Sequence, residues 1–285
     1  MTAMVLAAGL GTRLRPLTDD VPKPLVPLGD RPMLSHVIAN LRARGEGRII
    51  VNAHHHADAI AEWSKTQSDV FVSHETDLLG TAGGVAHARA LLGDAAVLVY
   101  NGDILADVDV AALRAACIGV LCLAVAPRAA HEGNVGLSAD GRVVRMRKTS
   151  FGQEARGGDF LGIYVIAPEF LRAFPSPGGL VEDVCLPALA SGNRLTTFEV
   201  TTPFTDLGTP EAYLAANLTW LAERESWVGP DAHVADGVRL KRSIVGEGAR
   251  VVGSGLLLDC VVWPGATANA PLSRAVVTRH HAVRL

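Results

Sequence analysis

Through the first two-thirds of the chain, short apolar runs alternate with segments whose apolar residues recur every three or four positions, which leaves few folds open. Met4–Ala8 is a short strand pattern ending at Gly9. Met33–Arg44 then sets Leu34, Val37, Ile38 and Leu41 on one helical face and stops at Gly45. Strand patterns at Arg48–Asn52, Val70–Ser73 and Ala96–Tyr100 interleave with helical ones at Ala57–Ser64, Gly83–Leu92 and Ala111–Cys117. This order predicts an α/β fold, a Rossmann-like domain with a mostly parallel central sheet and helices on both faces. Val97–Tyr100 is apolar without alternation, as in strands covered on both sides. Beyond Ile118 the pattern loosens, with strands expected at Ile118–Ala126, Arg142–Met146, Phe160–Ile166 and Leu195–Val200 and a helix from Glu182 to Gly192. Thr209-Pro210-Glu211 reads as N-cap, first-turn proline and first-turn acid of a helix running to about Arg224.

After Ser226 the texture changes. The triplets Ser243-Ile244-Val245, Cys260-Val261-Val262 and Ala275-Val276-Val277 recur at spacings of 17 and 15, with glycines between them. The expectation is a catalytic domain over residues 1–226 and a short left-handed β-helix of the hexapeptide-repeat kind over 227–285. Val245, Val262 and Val277 would stack inside it. Leu256, Leu257 and Trp263 would lie at a contact surface, with the first domain or with a second subunit, so a homo-oligomer held by the tail is expected.

Composition closes off other classes. Hydrophobic residues make up 49% of 285, enough for a core, so a disordered chain is excluded. With 26 basic and 29 acidic residues the chain lacks the basic surplus of a dedicated nucleic-acid binder. The longest apolar stretch, Ile118–Ala126, falls short of the ~20 residues that span a bilayer, so no membrane partner is expected. No basic residue precedes the first apolar run, which reads as a strand and not a signal peptide, and the cytoplasm is the expected location. Cys117, Cys122, Cys185 and Cys260 have no C-x-x-C spacing and read as reduced, small hydrophobic residues.

The most informative stretch is LAAGLGTRLRPLTDDVPKPLVPL, residues 6–28. A strand runs into a loop where Gly9 and Gly11 let backbone N–H groups approach an anion. Arg13, Arg15 and Lys23 add three cations opposed only by Asp19 and Asp20, a local polyphosphate site in a mildly acidic chain. Prolines 16, 22, 24 and 27 stiffen the loop and keep it from being helical. The dinucleotide fingerprint would need a third glycine where Leu14 stands, and a P-loop would need Gly-Lys where Leu14-Arg15 stands.

The longer string G-x-G-T-R…P-K-P resembles the signature of the sugar-1-phosphate nucleotidyltransferases, also called NDP-sugar pyrophosphorylases, and the likeness extends through most of residues 1–224. The resemblance implies transfer of a nucleotidyl group from a nucleoside triphosphate to a sugar 1-phosphate, with Mg²⁺ and release of pyrophosphate. It implies nucleotide contacts at Leu6, Ala8, Gly9, Gly11, Thr12 and Arg13, with Arg13 on the departing phosphates and Lys23 on the sugar phosphate and α-phosphate. Leu79-Gly80-Thr81-Ala82-Gly83-Gly84 matches the family's base-contacting segment, so Gly80, Thr81 and Gly83 are candidates. Asp103, in Asn101-Gly102-Asp103 after a strand, and Asp206, in the D-x-G-T element, match the carboxylates that hold magnesium. Two carboxylates suit an ion that keeps its other positions for phosphate and water. Because the attacking phosphate oxygen is already anionic, no general base is needed and none is assigned to His54, His55 or His56, which read as a polar loop.

For the sugar, the resemblance implies Gly136, Lys148, Gly162 and Glu182. The family's E-K-P element reads Arg147-Lys148-Thr149, its acid replaced by arginine, and the N-A-G-I-Y strand reads Phe160-Leu161-Gly162-Ile163-Tyr164. The first of these departures touches the choice of sugar more than the reaction. Mannose-1-phosphate guanylyltransferase is the first expectation. The alternatives are a uridylyl- or thymidylyltransferase acting on glucose-, N-acetylglucosamine- or N-acetylmuramic-acid 1-phosphate, and a non-catalytic regulatory homologue. An acyltransferase would need a catalytic histidine pair, for which only the terminal His280-His281 stands in the tail, and a dehydrogenase would need the missing third glycine.

Overall fold

Strands β1 (Thr2–Leu6), β2 (Arg48–Ala53), β3 (Val70–His74) and β4 (Val97–Asn101) run parallel in the order β3-β2-β1-β4. The computed structural model describes every residue from Met1 to Leu285. These four strands are the parallel centre expected from the sequence. Their apolar runs are covered on both faces, as the burial of Met4, Val5, Ile50, Val51, Leu98 and Val99 shows. Six more strands extend the sheet: β5 (Leu121–Arg128), β6 (Val135–Leu137), β7 (Val143–Met146), β8 (Thr149–Ser150), β9 (Arg156–Ile166) and β10 (Leu195–Glu199). The long β9 runs antiparallel to β4, β5 and β6, while β10 is parallel to β5.

Helices α1 (Met33–Ala43) and α2 (Ala57–Ser64) follow the expected periodicity. The helix expected over Gly83–Leu92 begins earlier and is broken, into α3 (Gly80–His87) and α4 (Arg89–Leu92), with Ala88 at ψ −2° between them. Next comes α5 (Val110–Ala115). The helix expected from Glu182 opens as a π-helical turn, Val181–Cys185, and becomes α6 (Leu186–Ala190). β6 and β8 carry too few residues to show a strand period and are absent from the sequence reading.

The chain divides into two compact units that interleave in sequence, residues 1–9 with 37–204 and residues 10–36 with 205–285. The first holds the ten-stranded sheet. The second joins the proline-rich loop segment to the final helix and the tail. Its helix α7 (Pro210–Leu221) starts as the sequence predicts: the Thr209 hydroxyl accepts the Ala212 N–H at 3.2 Å and Pro210 sits where an N–H would be orphaned. In the tail, β11 (Ser226–Val228), β12 (His233–Val234), β13 (Val238–Lys241), β14 (Ser243–Val245), β15 (Arg250–Val262) and β16 (Thr267–Val277) stack in parallel. The register sets Trp227 on Ile244, Ile244 on Val261 and Val261 on Val276, so the spacings of the sequence are the spacings of the stack. The last strand, β17 (Ala282–Arg284), turns back antiparallel on β16.

Val245, Val262 and Val277 are buried, as expected of stack-interior positions. Leu257 is also fully buried, with Leu272 as its register partner in the next strand, while Leu256 is partly buried. Trp263 meets Tyr213 of α7 edge-on at 6.3 Å, one of the two contacts expected for it. All four cysteines are free thiols. Burial pushes the thiols of Cys122 and Cys260 up to about 11 and that of Cys185 up to about 12.

Candidate active site

In the first unit, Leu6, Ala8, Gly9, Gly80, Thr81, Gly83 and Asp103 lie at or just beyond the carboxyl ends of β1, β3 and β4, where open α/β sheets bind ligands. Leu6 ends β1, and its carbonyl accepts the Gly102 N–H at 2.9 Å. A Cβ on Gly102 would meet that same oxygen at 2.9 Å, so the turn after β4 can lie this close to β1 only with glycine there. The turn carries Asp103, half-buried, at the strand end. Ala8 is buried and Gly9 exposed, with open space above Gly9.

The glycine-rich segment is packed for close backbone approach. Gly80 has φ +78°, and a Cβ there would meet the Gly178 carbonyl oxygen at 2.6 Å. The Ala82 and Gly83 N–H groups already donate to that oxygen, at 2.9 and 3.1 Å. Gly80 and Gly83 therefore secure the fit of α3 against Gly178, and Thr81 is the member of the set that faces a cavity. That cavity, about 280 Å³, is lined by Thr81, Asn101, Asn134, Arg147, Phe160 and Glu182 among others. Glu182 reaches it from the π-helical turn, a geometry frequent at functional sites. Its carboxylate forms an ion pair with Arg147. Gly162 sits in a bulge of β9 at φ +73°, where a Cβ would strike the Asn101 amide at 2.2 Å, so glycine there lets Asn101 stand at the cavity wall.

Two expected sugar residues are placed elsewhere. Gly136 is buried between β7 and β9, under the Glu154 carboxylate, which a Cβ would meet at 2.5 Å. Lys148 is exposed and absent from the cavity lining. The sequence reading missed Asn101, Asn134 and the buried pair Asn52–Glu75; no spacing marks them, since each acts through tertiary neighbours.

In the second unit, Gly11 is left-handed at φ +64°, with its carbonyl accepting the Thr18 hydroxyl at 2.9 Å. A Cβ there would press on Lys23 and Thr18 at 3.1 Å, so glycine brings the two cation-bearing stretches together. The loop is not wholly irregular: Thr12–Leu14 and Lys23–Leu25 are short 3₁₀ turns, each a single turn between prolines or glycines. Arg13 is exposed, and its Nη1 lies 4.0 Å from Asp206 Oδ2. Gly208 of the D-x-G-T element explains this placement, because a Cβ there would meet Arg13 Nη1 at 2.8 Å and Asp206 Oδ1 at 2.9 Å.

His54, His55 and His56 form a half-buried loop between β2 and α2, and no cluster of three or more histidine, cysteine or acidic side chains able to hold a metal exists in the structure. Asp103 in the first unit and Asp206 in the second each carry a carboxylate, the hard oxygen donor that magnesium takes.

The family model described as Nucleotidyl transferase matches residues 2–223. The chain belongs to that family. Among curated relatives of this nucleotidyl transferase, N-acetylmuramate alpha-1-phosphate uridylyltransferase of Caulobacter vibrioides is 33% identical over 234 residues, covering 75% of this chain and 94% of that one. Mannose-1-phosphate guanyltransferase of Aspergillus fumigatus is 30% identical over 247 residues, covering 79% of this chain and 66% of that one. Both are named for transfer to a sugar 1-phosphate, the class the motifs point to. The structure of HddC from Yersinia pseudotuberculosis complexed with GMP-PN matches with a TM-score of 0.65 at 24% identity, over 77% of this chain and 99% of that one, and shares the fold. No helix is long and apolar enough to cross a membrane.

Proposed function

We propose that this nucleotidyl transferase joins a nucleoside triphosphate to a sugar 1-phosphate, giving an NDP-sugar and pyrophosphate. The observation that carries the reading is the setting of Arg13, from the G-x-G-T-R loop, against Asp206, from the D-x-G-T element, within one unit. A sugar-phosphate oxygen attacks the α-phosphorus in line, and pyrophosphate leaves from the opposite side. Arg13 holds the departing phosphates and Lys23 the sugar phosphate and α-phosphate. Leu6, Ala8, Gly9, Gly11 and Thr12 supply the loop that receives the nucleotide, with Gly80, Thr81 and Gly83 near the base, and Glu182 meets sugar hydroxyls. Asp103 and Asp206 are the carboxylates proposed for Mg²⁺, which when bound neutralises growing charge on the phosphates. Orientation and charge carry the catalysis, and no residue has to take a proton.

Mannose 1-phosphate with GTP is the first pair to test. The uridylyl reading with N-acetylmuramate 1-phosphate stands beside it, because the Caulobacter relative is matched over nearly its whole length. The tail from residue 227 is read as a left-handed β-helix that serves assembly of a cytoplasmic homo-oligomer, behind a catalytic segment of residues 1–226. A pyrophosphate-release panel of GTP, UTP, dTTP, ATP and CTP against mannose-, glucose-, N-acetylglucosamine- and N-acetylmuramic-acid 1-phosphates tests the reading. Release with one pair supports it. Silence across the panel supports the regulatory homologue instead.

A further inference from the structure

A buried amide–carboxylate pair lies beneath the nucleotide loop of the first unit. Asn52, at the end of β2, is 3% exposed, and Glu75, just after β3, is 1% exposed. The Asn52 Oδ1 accepts the N–H of Ala7, the first residue after β1, at 2.7 Å. The Asn52 Nδ2 donates to Glu75 Oε1 at 2.6 Å. The other carboxylate oxygen, Glu75 Oε2, accepts the Leu79 N–H at 3.4 Å, at the entry to the glycine-rich segment. The pair also fills the space that Gly84 leaves open, since a Cβ on Gly84 would meet Asn52 Nδ2 at 2.6 Å and Glu75 Oε1 at 2.7 Å. Three hydrogen bonds and one missing methyl group thus run from the loop after β1, through two buried side chains, to the first turn of α3.

Burying a carboxylate costs stability unless its oxygens are satisfied, and a core of similar shape is built more cheaply from apolar residues. What the polar pair adds is directional: it fixes one N–H at each end of the chain of bonds. The geometry points to Asn52 and Glu75 as positioning residues that hold the phosphate loop and the glycine-rich segment in one mutual register, so that a triphosphate meets both at once. This rests on the reading of those two segments as the nucleotide site.

The test reverses the polarity of the central bond. In Asn52→Asp the new carboxylate still accepts from Ala7 but faces Glu75 with like charge. In Glu75→Gln the amide can still accept from Asn52, but its NH₂ then confronts the Leu79 N–H. In the double variant N52D/E75Q all three bonds can form again, with the carboxylate on β2 and the amide donor after β3. On the reaction that the panel identifies, N52D is expected to raise the KM for the triphosphate by about tenfold with that for the sugar phosphate changed less than about twofold, and the double variant to recover most of the loss. In ligand-free protein, amide exchange over residues 6–10 and 79–84 should quicken in N52D and slow again in N52D/E75Q. A triphosphate KM within about twofold of wild type in folded N52D overturns the proposal, as does a folded double variant no better than N52D. Unchanged exchange in both segments overturns it as well, and that measurement needs no substrate, so it separates failure of this role from failure of the nucleotide reading. If N52D does not fold, Gly84→Ala pushes the pair from the helix side and carries the same two readouts, with unchanged KM and exchange as the overturning result.

Discussion

The Arg13 guanidinium stands 4.0 Å from the Asp206 carboxylate, with 66% and 47% of the two side chains open to solvent. An exposed pair at that separation contributes about 0–1 kcal/mol to stability, so holding the fold together is a poor account of it. Asp206→Asn should leave the melting temperature within a degree or two while turnover falls by about two orders of magnitude or more. Asp103→Asn should behave alike. Arg13→Ala should lower kcat most, and Lys23→Ala should also raise the KM for the sugar phosphate. Pyrophosphate release and calorimetry on the same preparations check this. Near wild-type turnover in Asp206→Asn would remove the metal role.

Arg147 and Glu182 close one side of the small cavity with an ion pair. Reversing that charge should redirect the choice of sugar and leave the nucleotide alone. Arg147→Glu is expected to raise the KM for the preferred sugar 1-phosphate by about tenfold, the worth of one good polar contact, while the triphosphate KM stays put. Equal shifts for both substrates would place Arg147 outside the sugar site.

The alternation of apolar runs and helical faces made the parallel centre legible, because burial on both faces leaves an unbroken apolar strand and helices keep a 3.6 period. The turn at Gly11 and the short 3₁₀ turns among the prolines have local causes, since glycine and proline set their own backbone angles. What the sequence hid depends on neighbours far along the chain. Gly136 reads as a free backbone contact until Glu154 is seen lying over it. Nothing in the spacing around Glu75 marks its burial against Asn52. Nor does the change of texture at residue 226 reveal that residues 10–36 share a unit with the tail.

Desolvation raises the cysteine thiols, to about 11 for Cys122 and Cys260 and about 12 for Cys185. A raised thiol pKa means less thiolate at pH 8, and thiolate is the reactive form. Native protein at pH 8 should therefore react slowly with a disulfide reagent, Cys117 first because it alone is partly exposed. All four should react quickly in denaturant. Fast labelling of Cys185 in the folded protein would contradict its burial.

Asn217 is fully buried on α7, where its Oδ1 accepts the Gly29 N–H at 2.9 Å and its Nδ2 donates to the Tyr213 carbonyl at 3.0 Å. Replacing it with alanine strands the Gly29 N–H, a loss of about 1–3 kcal/mol. Asn217→Ala should lower the midpoint of denaturant unfolding accordingly. An unchanged midpoint would mean that water replaces the amide.

The loop segment 10–36 and the tail share a unit, so the tail should matter to the chemistry as well as to assembly. Trp263 packs on Tyr213, whose hydroxyl donates to the Pro27 carbonyl next to the cationic loop. At the other end of the loop, His281 and His280 lie 3.7 Å from Asp19 and Asp20. These last pairs are exposed and individually weak, whereas Trp263 and Tyr213 are buried. Truncation after Arg224 removes both and should lower turnover by more than about tenfold, while H280A/H281A should stay within about twofold. Trp263→Ala should fall between them, with a weakened affinity for triphosphate. Light scattering on the same truncation reports whether the tail also holds subunits together. A truncated protein that is folded and fully active would show that the loop keeps its shape without the tail.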